Sequence, residues 1–265
     1  MNWHAVTREP NELGESPFWH PGEGRLYWVD IPACNILRAD AESGAVQSWA
    51  MPSEPGCIAP AASGGLVIAL RDGIYRAPQW AGALRLMRRF DHDTGTTRFN
   101  DGKADPLGRF WAGTMYEPRT MAAAELFALD CRDGRPLQVQ RMAGDATIAN
   151  GLAWSPDGRT VYWSDTPSHV IRAWDWDAQG NYYAAMFEGA RLLKFSPSGV
   201  LLAEIPTPAQ CPTMPCFGGE DLRTLFITTA RHNRPQHELQ RLPQSGCVFS
   251  TRVDTPGLPV NFFRD

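Results

Sequence analysis

The sequence has no run of basic residues, no cysteine or histidine pair at metal-ligand spacing and no long apolar stretch. Each absence closes off a class of protein. Without a patch of five or more basic residues, and with a formal net charge of −4, nucleic acid is not expected as a partner. The apolar runs fall far short of the roughly 20 residues that span a bilayer, so no membrane association is expected. The start, Met1-Asn2-Trp3-His4-Ala5, lacks a basic segment followed by an apolar core; no secretory leader is expected, and a cytoplasmic location is. Six cysteines are scattered with no CxxC among them, which reads as free thiols rather than a disulfide framework. The six histidines are dispersed, which argues against a His-based zinc site. No GxSxG occurs, and Ala62-Ser63-Gly64-Gly65 reads as a turn rather than a phosphate loop. Helix signals are nearly absent; the best is residues 120–125.

What is present is glycine, proline and tryptophan. With 24 Gly, 22 Pro and 10 Trp in 265 residues, the composition suits many short strands joined by tight turns. One phrase recurs: a turn, a spacer, then an apolar aromatic strand. It appears as Gly24-Arg25-Leu26-Tyr27-Trp28-Val29-Asp30, Gly65-Leu66-Val67-Ile68-Ala69, Gly108-Arg109-Phe110-Trp111, Gly158-Arg159-Thr160-Val161-Tyr162-Trp163, Gly180-Asn181-Tyr182-Tyr183 and Arg223-Thr224-Leu225-Phe226-Ile227. From Leu26 onward the steps are about 40, 44, 51, 21 and 43 residues, against a propeller repeat of roughly 40–50. The expected fold is all-β: a single-domain six-bladed β-propeller of four-stranded blades over 1–265. One blade region is shortened near 175–182, where the step is half a repeat. The fifth blade is expected to lack its inner strand and to leave an open edge. The segment at Cys247–Thr251 and the start at His4–Val6 are expected to share a blade.

Four oxygen-bearing positions fall where inner strands begin. They are Glu15, Asn100 with Asp101, Asn150 in Asn-Gly-Leu, and Glu220-Asp221 after Gly218-Gly219. In a propeller such entrances converge on the central channel. Carboxylate and amide oxygens there suit a hard divalent cation, Ca²⁺ first, with Zn²⁺, Mn²⁺ or Mg²⁺ as alternatives. Asn-Gly and Asp-Gly are also turn dipeptides in any protein, so a purely structural reading of the same residues stays open. Asp30 and Asp165, each closing a Tyr-Trp strand, read as turn or backbone-bonding residues.

Several motifs are more specific. Glu-Leu-Gly-Glu-Ser-Pro-Phe-Trp (12–19), Leu-Tyr-Trp-Val-Asp-Ile (26–31), Arg-Phe-Asn-Asp-Gly-Lys-Ala-Asp-Pro-Leu-Gly-Arg-Phe-Trp-Ala-Gly-Thr-Met (98–115), Asn-Gly-Leu-Ala-Trp-Ser-Pro-Asp-Gly (150–158) and Cys-Phe-Gly-Gly-Glu-Asp-Leu-Arg-Thr-Leu-Phe-Ile-Thr-Thr-Ala (216–230) occur in this order. Together they resemble the gluconolactonase/regucalcin (senescence marker protein) family over nearly the whole chain. The resemblance implies a six-bladed propeller with a divalent cation in its channel, and hydrolysis of sugar lactones. It makes Glu15 and Asn150 two of the metal ligands. Arg98 and Asn100 become the pair lining the substrate site, and Glu117 stands close to a substrate-facing glutamate. The family's third ligand is an Asp in a Pro-Asp-Gly motif, which also looks like the base that activates water. It is expected between 170–176 and 182–186, where the interval is halved; Pro156-Asp157-Gly158 is a different turn. Asp101 is the nearest remaining carboxylate for the base, with a supporting or turn role as the other reading. Two functions follow: a monomeric metal-dependent lactonase acting on a small-molecule sugar lactone, or a propeller that binds a cation or small ligand without turnover.

Overall fold

Short apolar runs ended by glycine turns fold into antiparallel meanders. A computed structural model describes residues 1–40, 43–154, 161–165, 174–176 and 179–265. The chain opens with β1 (His4–Ala5), then a meander of β2 (Gly14–His20), β3 (Arg25–Asp30), β4 (Asn35–Asp40) and β5 (Val46–Ala50). A second meander follows: β6 (Pro55–Pro60), β7 (Leu66–Leu70), β8 (Gly73–Ala77) and β9 (Arg85–Arg89). The third is β10 (Thr97–Ala104), β11 (Phe110–Tyr116), β12 (Ala124–Asp130) and β13 (Gln138–Ala146). Then come the pair β14 (Ala149–Trp154) and β15 (Val161–Asp165), and the meander β16 (Trp174–Trp176), β17 (Tyr182–Met186), β18 (Arg191–Phe195) and β19 (Leu201–Pro206). The last sheet is β20 (Pro212–Gly218), β21 (Thr224–Thr229) and β22 (Phe249–Arg252), closed by β1 through His4↔Ser250 and Ala5↔Phe249. The two ends of the chain thus share a sheet, as expected.

The expectation of six four-stranded blades is corrected. Among the described residues there are five four-stranded blades, not six, and β14 with β15 forms a sheet of two. The reason is the shortened interval. Too little chain lies between β15 and β17 to complete one sheet and start another. Residues 174–176 therefore pair with β17 as first strand of the next sheet, through Trp174↔Ala184, Asp175↔Tyr183 and Trp176↔Tyr182. The short sheet is the fourth, not the fifth. Among the described residues β15 pairs only with β14. The turn expected at Pro156-Asp157-Gly158 and the strand phrase Val170-Ile171-Arg172 lie outside the described residues.

Two compact units emerge. The first comprises Met1–Ala50 and Ile171–Pro259. Within it β2 and β17 each lie against β20, and two cores form. One gathers Tyr183, Leu192, Met214, Phe217, Ile227 and Phe249; the other Trp19, Leu26, Trp28, Phe226 and Val248. The second unit comprises Met51–Val170 and Val260–Asp265. There β10 lies against both β6 and β14. Its main core holds Val67, Ile74, Phe99, Phe110 and Phe263, and Trp111 meets Trp154 edge-on at 5.7 Å. The second strands β3 and β7 are buried on both faces apart from Arg25, whereas β5 and β9 are mostly exposed. That is why the second strands read as unbroken apolar runs rather than alternating ones. Residues 120–125 are not helical. The only α-helix among the described residues, α1 (Gln236–Arg241), follows Pro235 and carries an i,i+4 pair with its preceding turn, Arg234–Glu238 at 2.6 Å.

Candidate functional site

Every sheet except the one opened by β16 carries an irregularity at the same place in its first strand. The register shifts between Glu15 and Phe18 in β2, between Pro55 and Cys57 in β6, and between Phe99 and Gly102 in β10. It shifts again between Asn150 and Ala153 in β14 and between Pro212 and Pro215 in β20. β16 pairs without a shift. A bulge bends its strand and re-aims the side chain beside it, and bulges concentrate next to functional sites. Glu15, Asn100 and Asn150 all stand at these bulges. The left-handed backbone that two of the bulges need is taken by Ser16 (φ 49) and Gly151 (φ 61). Glu220 and Asp221 do not belong with them. They follow β20 rather than open it, and Asp221 is an exposed partner of Arg252.

In the second unit, β10 and β14 bring three of the expected residues together. The Asn100 amide nitrogen donates to the Ala149 carbonyl at 3.0 Å and lies 3.4 Å from Asn150 Oδ1. Asn100 Oδ1 accepts from Arg98 Nη1 at 3.0 Å, and the same nitrogen donates to the Phe99 carbonyl at 2.8 Å. Arg98 is buried, with Nε 3.3 Å from Glu117 Oε1. Glu117 in turn accepts from Arg71, whose Nη1 lies 3.0 Å away. Arg71 also donates Nε and Nη2 to Glu54, both at 2.8 Å, and Nη1 to the Thr94 carbonyl at 2.8 Å. A continuous charge-assisted relay therefore runs from Glu54 through Arg71, Glu117 and Arg98 to Asn100, and a longer contact between neutral amides leads on to Asn150. Charge-assisted bonds are the stronger kind. Hydrogen bonds from Arg71 hold the Glu54 carboxyl below its ordinary value, against the opposing effect of burial. Sequence reasoning missed Arg71 and Glu54; neither sits in a recognisable motif, and only the fold makes them neighbours of Glu117.

Asp101 is buried in the β10 bulge. Its Oδ1 accepts the Gly102 amide at 2.7 Å and its Oδ2 the Leu152 amide at 3.2 Å, so it ties the β10 and β14 bulges together. Behind it the Cys57 thiol is pushed well up, by burial first and by the Asp101 charge second. β6 comes equally close. A Cβ on Gly56 would sit 2.4 Å from the Phe99 carbonyl and 2.8 Å from the Asn100 nitrogen. Only glycine allows that approach.

In the first unit, Glu15 is half-buried on β2 opposite Val29, and its Oε2 accepts the Ser16 amide at 3.4 Å. Just ahead of it, the Asp30 carboxylate accepts the Glu12 and Leu13 amides at 2.9 and 3.0 Å. Burial raises the Asp30 carboxyl above its ordinary value, while those amides pull the other way.

Known proteins resemble this chain over almost its whole length. The SMP-30/gluconolactonase/LRE-like profile matches residues 13–181 and 175–231. The chain belongs to that family. It is 42% identical to a 6-deoxy-6-sulfogluconolactonase of Pseudomonas putida, an alignment covering 98% of this chain and 97% of that protein. It is 32% identical to regucalcin of Gallus gallus, with 96% of each covered. A calcium-binding regucalcin from Agrobacterium tumefaciens shares the fold, with a TM-score of 0.90 at 23% identity over 98% of this chain and 97% of that one. The alignment with the Pseudomonas protein spans 289 residues where this chain has 265, so that relative carries residues this one does not. The two stretches of the family match meet at 175–181, inside the halved interval.

Proposed function

We propose that the chain hydrolyses a sugar lactone to the open aldonic acid. The observation that carries this reading is the Arg98–Asn100–Asn150 constellation on adjacent bulges, in a chain of the gluconolactonase family. Sugar lactones are polyhydroxylated cyclic esters. Arg98 and Asn100 offer donors and an acceptor for ring hydroxyls, and the relay through Glu117 and Arg71 fixes their directions. Attack of water on the lactone carbonyl forms one C–O bond and a transient oxyanion. Collapse breaks the ring C–O bond, and the ring oxygen leaves as a hydroxyl after taking up a proton.

Glu15 and Asn150 are the proposed ligands of a divalent cation. A carboxylate and an amide oxygen are donors of the kind that Ca²⁺ accepts, with Mg²⁺, Mn²⁺ or Zn²⁺ as substitutes. Among the described residues no cluster of three or more His, Cys, Asp or Glu suits a metal, so the proposed set leans on neutral oxygens. Such a cation would polarise the lactone carbonyl.

For Asp101 we favour the clamp between two bulges over the general base, because both its oxygens already accept backbone amides. Asp101→Asn separates the roles. A base predicts a fall in kcat of roughly 10²–10⁴-fold with the fold intact; a clamp predicts a loss of stability that accounts for the loss of activity.

The substrates to test first are glucono-δ-lactone and 6-deoxy-6-sulfogluconolactone. The expected outcome is hydrolysis above the spontaneous rate that a chelator suppresses and Ca²⁺ restores. Calcium binding with no such hydrolysis of either lactone would instead favour the second reading, a cation-binding protein without turnover. The observation behind that second reading is the halved interval near 175–182, where the family's third ligand, an Asp, is expected, in a chain of 265 residues whose alignment with the Pseudomonas relative spans 289.

A further inference from the structure

Asp30 and Asp165 close the second strands of two different sheets, and each does the same thing. Asp30 pairs across the sheet with Gly14, the residue before Glu15. Asp165 pairs with Ala149, the residue before Asn150. Asp30 accepts the amides of Glu12 and Leu13, three and two residues ahead of Glu15. Asp165 accepts the amides of Thr147 and Ile148, three and two residues ahead of Asn150, at 3.1 and 2.9 Å. The lead-in segment is held from its other side as well. Leu13 bridges to Ala230, and the Glu12 carbonyl accepts the Arg231 amide at 2.9 Å. Ile148 bridges to Met115, and the Thr147 carbonyl accepts the Tyr116 amide at 3.0 Å.

The other bulged first strands have no such carboxylate. Asp30 and Asp165 stand one residue beyond the partner of the last residue before the bulge; the same position is Met115, opposite Arg98, in the third sheet, Arg71, next after the Leu70 that pairs with Pro55, in the second, and Ala230, next after the Thr229 that pairs with Pro212, in the last. The aspartate therefore accompanies only the two bulges that present Glu15 and Asn150. A generic turn device would have no reason to choose those two. A carboxylate that accepts two consecutive amides fixes the backbone entering the bulge, and the bulge sets where the next side chain points.

We propose that Asp30 and Asp165 are positioning residues, each setting the direction of the proposed cation-binding side chain that follows its lead-in segment, Glu15 for Asp30 and Asn150 for Asp165. The inference rests on the reading of Glu15 and Asn150 as cation ligands. Neither aspartate touches substrate or cation; each acts through the lead-in backbone. Groups that orient metal ligands typically matter by roughly 10–100-fold in affinity.

The test is calcium titration by calorimetry at about 0.15 M salt, on the full chain and its D30N and D165N variants, with thermal unfolding alongside. D40N is the control. Asp40 also accepts a backbone amide, from Ser43 at 2.9 Å, in the same sheet as Asp30, but no proposed ligand follows it. It removes the same charge. The expected result is calcium affinity lowered roughly 10–100-fold in D30N and in D165N, and unchanged in D40N. Because Asp165 is less buried than Asp30, D165N carries the test alone if D30N does not fold. Hydrogen exchange on the unaltered chain adds a readout that needs no variant. Calcium should slow exchange at Glu12, Leu13, Thr147 and Ile148 and leave Ser43 unchanged. Equal affinity in D165N and the unaltered chain, or no calcium effect on those four amides, overturns the positioning role while leaving the ligands intact. A chain that does not bind calcium at all overturns the cation reading first, and this inference with it.

Discussion

Arg71 is the residue on which the second unit's polar relay turns, because it holds two carboxylates at once. Glu54 is kept below the ordinary carboxyl value by Arg71. A carboxyl lowered in the folded state adds stability that is present above its unfolded value of 4.5 and is lost as pH falls through the lower folded value. Glu54→Gln should therefore cost about 1 kcal/mol at neutral pH, the scale of a partly exposed pair. The gap to the unaltered chain should narrow between neutral pH and an acid pH below 4.5, as the Glu54 carboxylate takes up its proton. Urea unfolding at the two pH values measures it; a gap that stays constant would mean that Glu54 contributes nothing through charge. Arg98 answers a different question. Arg98→Lys keeps the charge but cannot reach Glu117, the Phe99 carbonyl and Asn100 with one planar fork. Under the lactonase reading it should raise KM by 10-fold or more while the fold survives, as steady-state kinetics with unfolding curves would report.

At the scale of the strand, the bulge is the unit that matters, and Gly56 shows how tightly it is set. An alanine there would press its Cβ into the Phe99 carbonyl and the Asn100 nitrogen, which are backbone and cannot swing away. Gly56→Ala should cost about 1–3 kcal/mol, as overpacking does, and displace Asn100. Gly24→Ala is the comparison. Gly24 has a positive φ, 63°, but faces open space, so it should cost about 1 kcal/mol and, under the lactonase reading, leave activity unchanged. Equal losses of activity in the two would contradict the placement of Asn100 by β6. The strands themselves were legible in the sequence, because buried second strands such as Leu26-Tyr27-Trp28-Val29 and Leu66-Val67-Ile68-Ala69 announce themselves as apolar runs after glycine. Bulges were not legible. Their signature is a register shift, which depends on the partner strand, so Asn-Gly at 150–151 looked the same as any turn. The same limit hid Arg71 and Glu54, and it misplaced Glu220 and Asp221 at the start of a strand they follow. Residues 120–125 failed as a helix because Ala124 and Glu125 are drawn into β12, where pairing outweighs alanine's helix preference.

For the molecule as a whole, the halved interval decides the architecture. Periodicity placed it near 175–182 but assigned the loss to the fifth blade, whereas among the described residues the short sheet is the fourth, β14 with β15. That depends on which neighbour captures 174–176, a competition between two incomplete sheets that spacing does not encode. β17 wins, with three residue pairs, and β15 is left with one partner among the described residues. A strand with one partner exchanges its amides more readily than one held on both sides. Amides of β15 should therefore exchange faster than those of β3, which pairs on both sides with β2 and β4. Restoring the missing length tests the larger claim. The relatives' alignments are longer than this chain, and the two stretches of the family match overlap at 175–181. A chimera carrying the corresponding segment of the Pseudomonas relative at that junction should add strand pairing to β15, which has one partner among the described residues. Each 1 kcal/mol gained is worth roughly 2–4 °C in a chain of this size, so Tm should rise by several degrees. Calcium affinity should rise with it if the segment brings a third oxygen ligand, because ligand charge tunes calcium binding. A rise in Tm without a rise in affinity would assign the segment to architecture alone. No change in either would mean that the two-stranded sheet is already sufficient, and that the shortened interval removed nothing the site depends on.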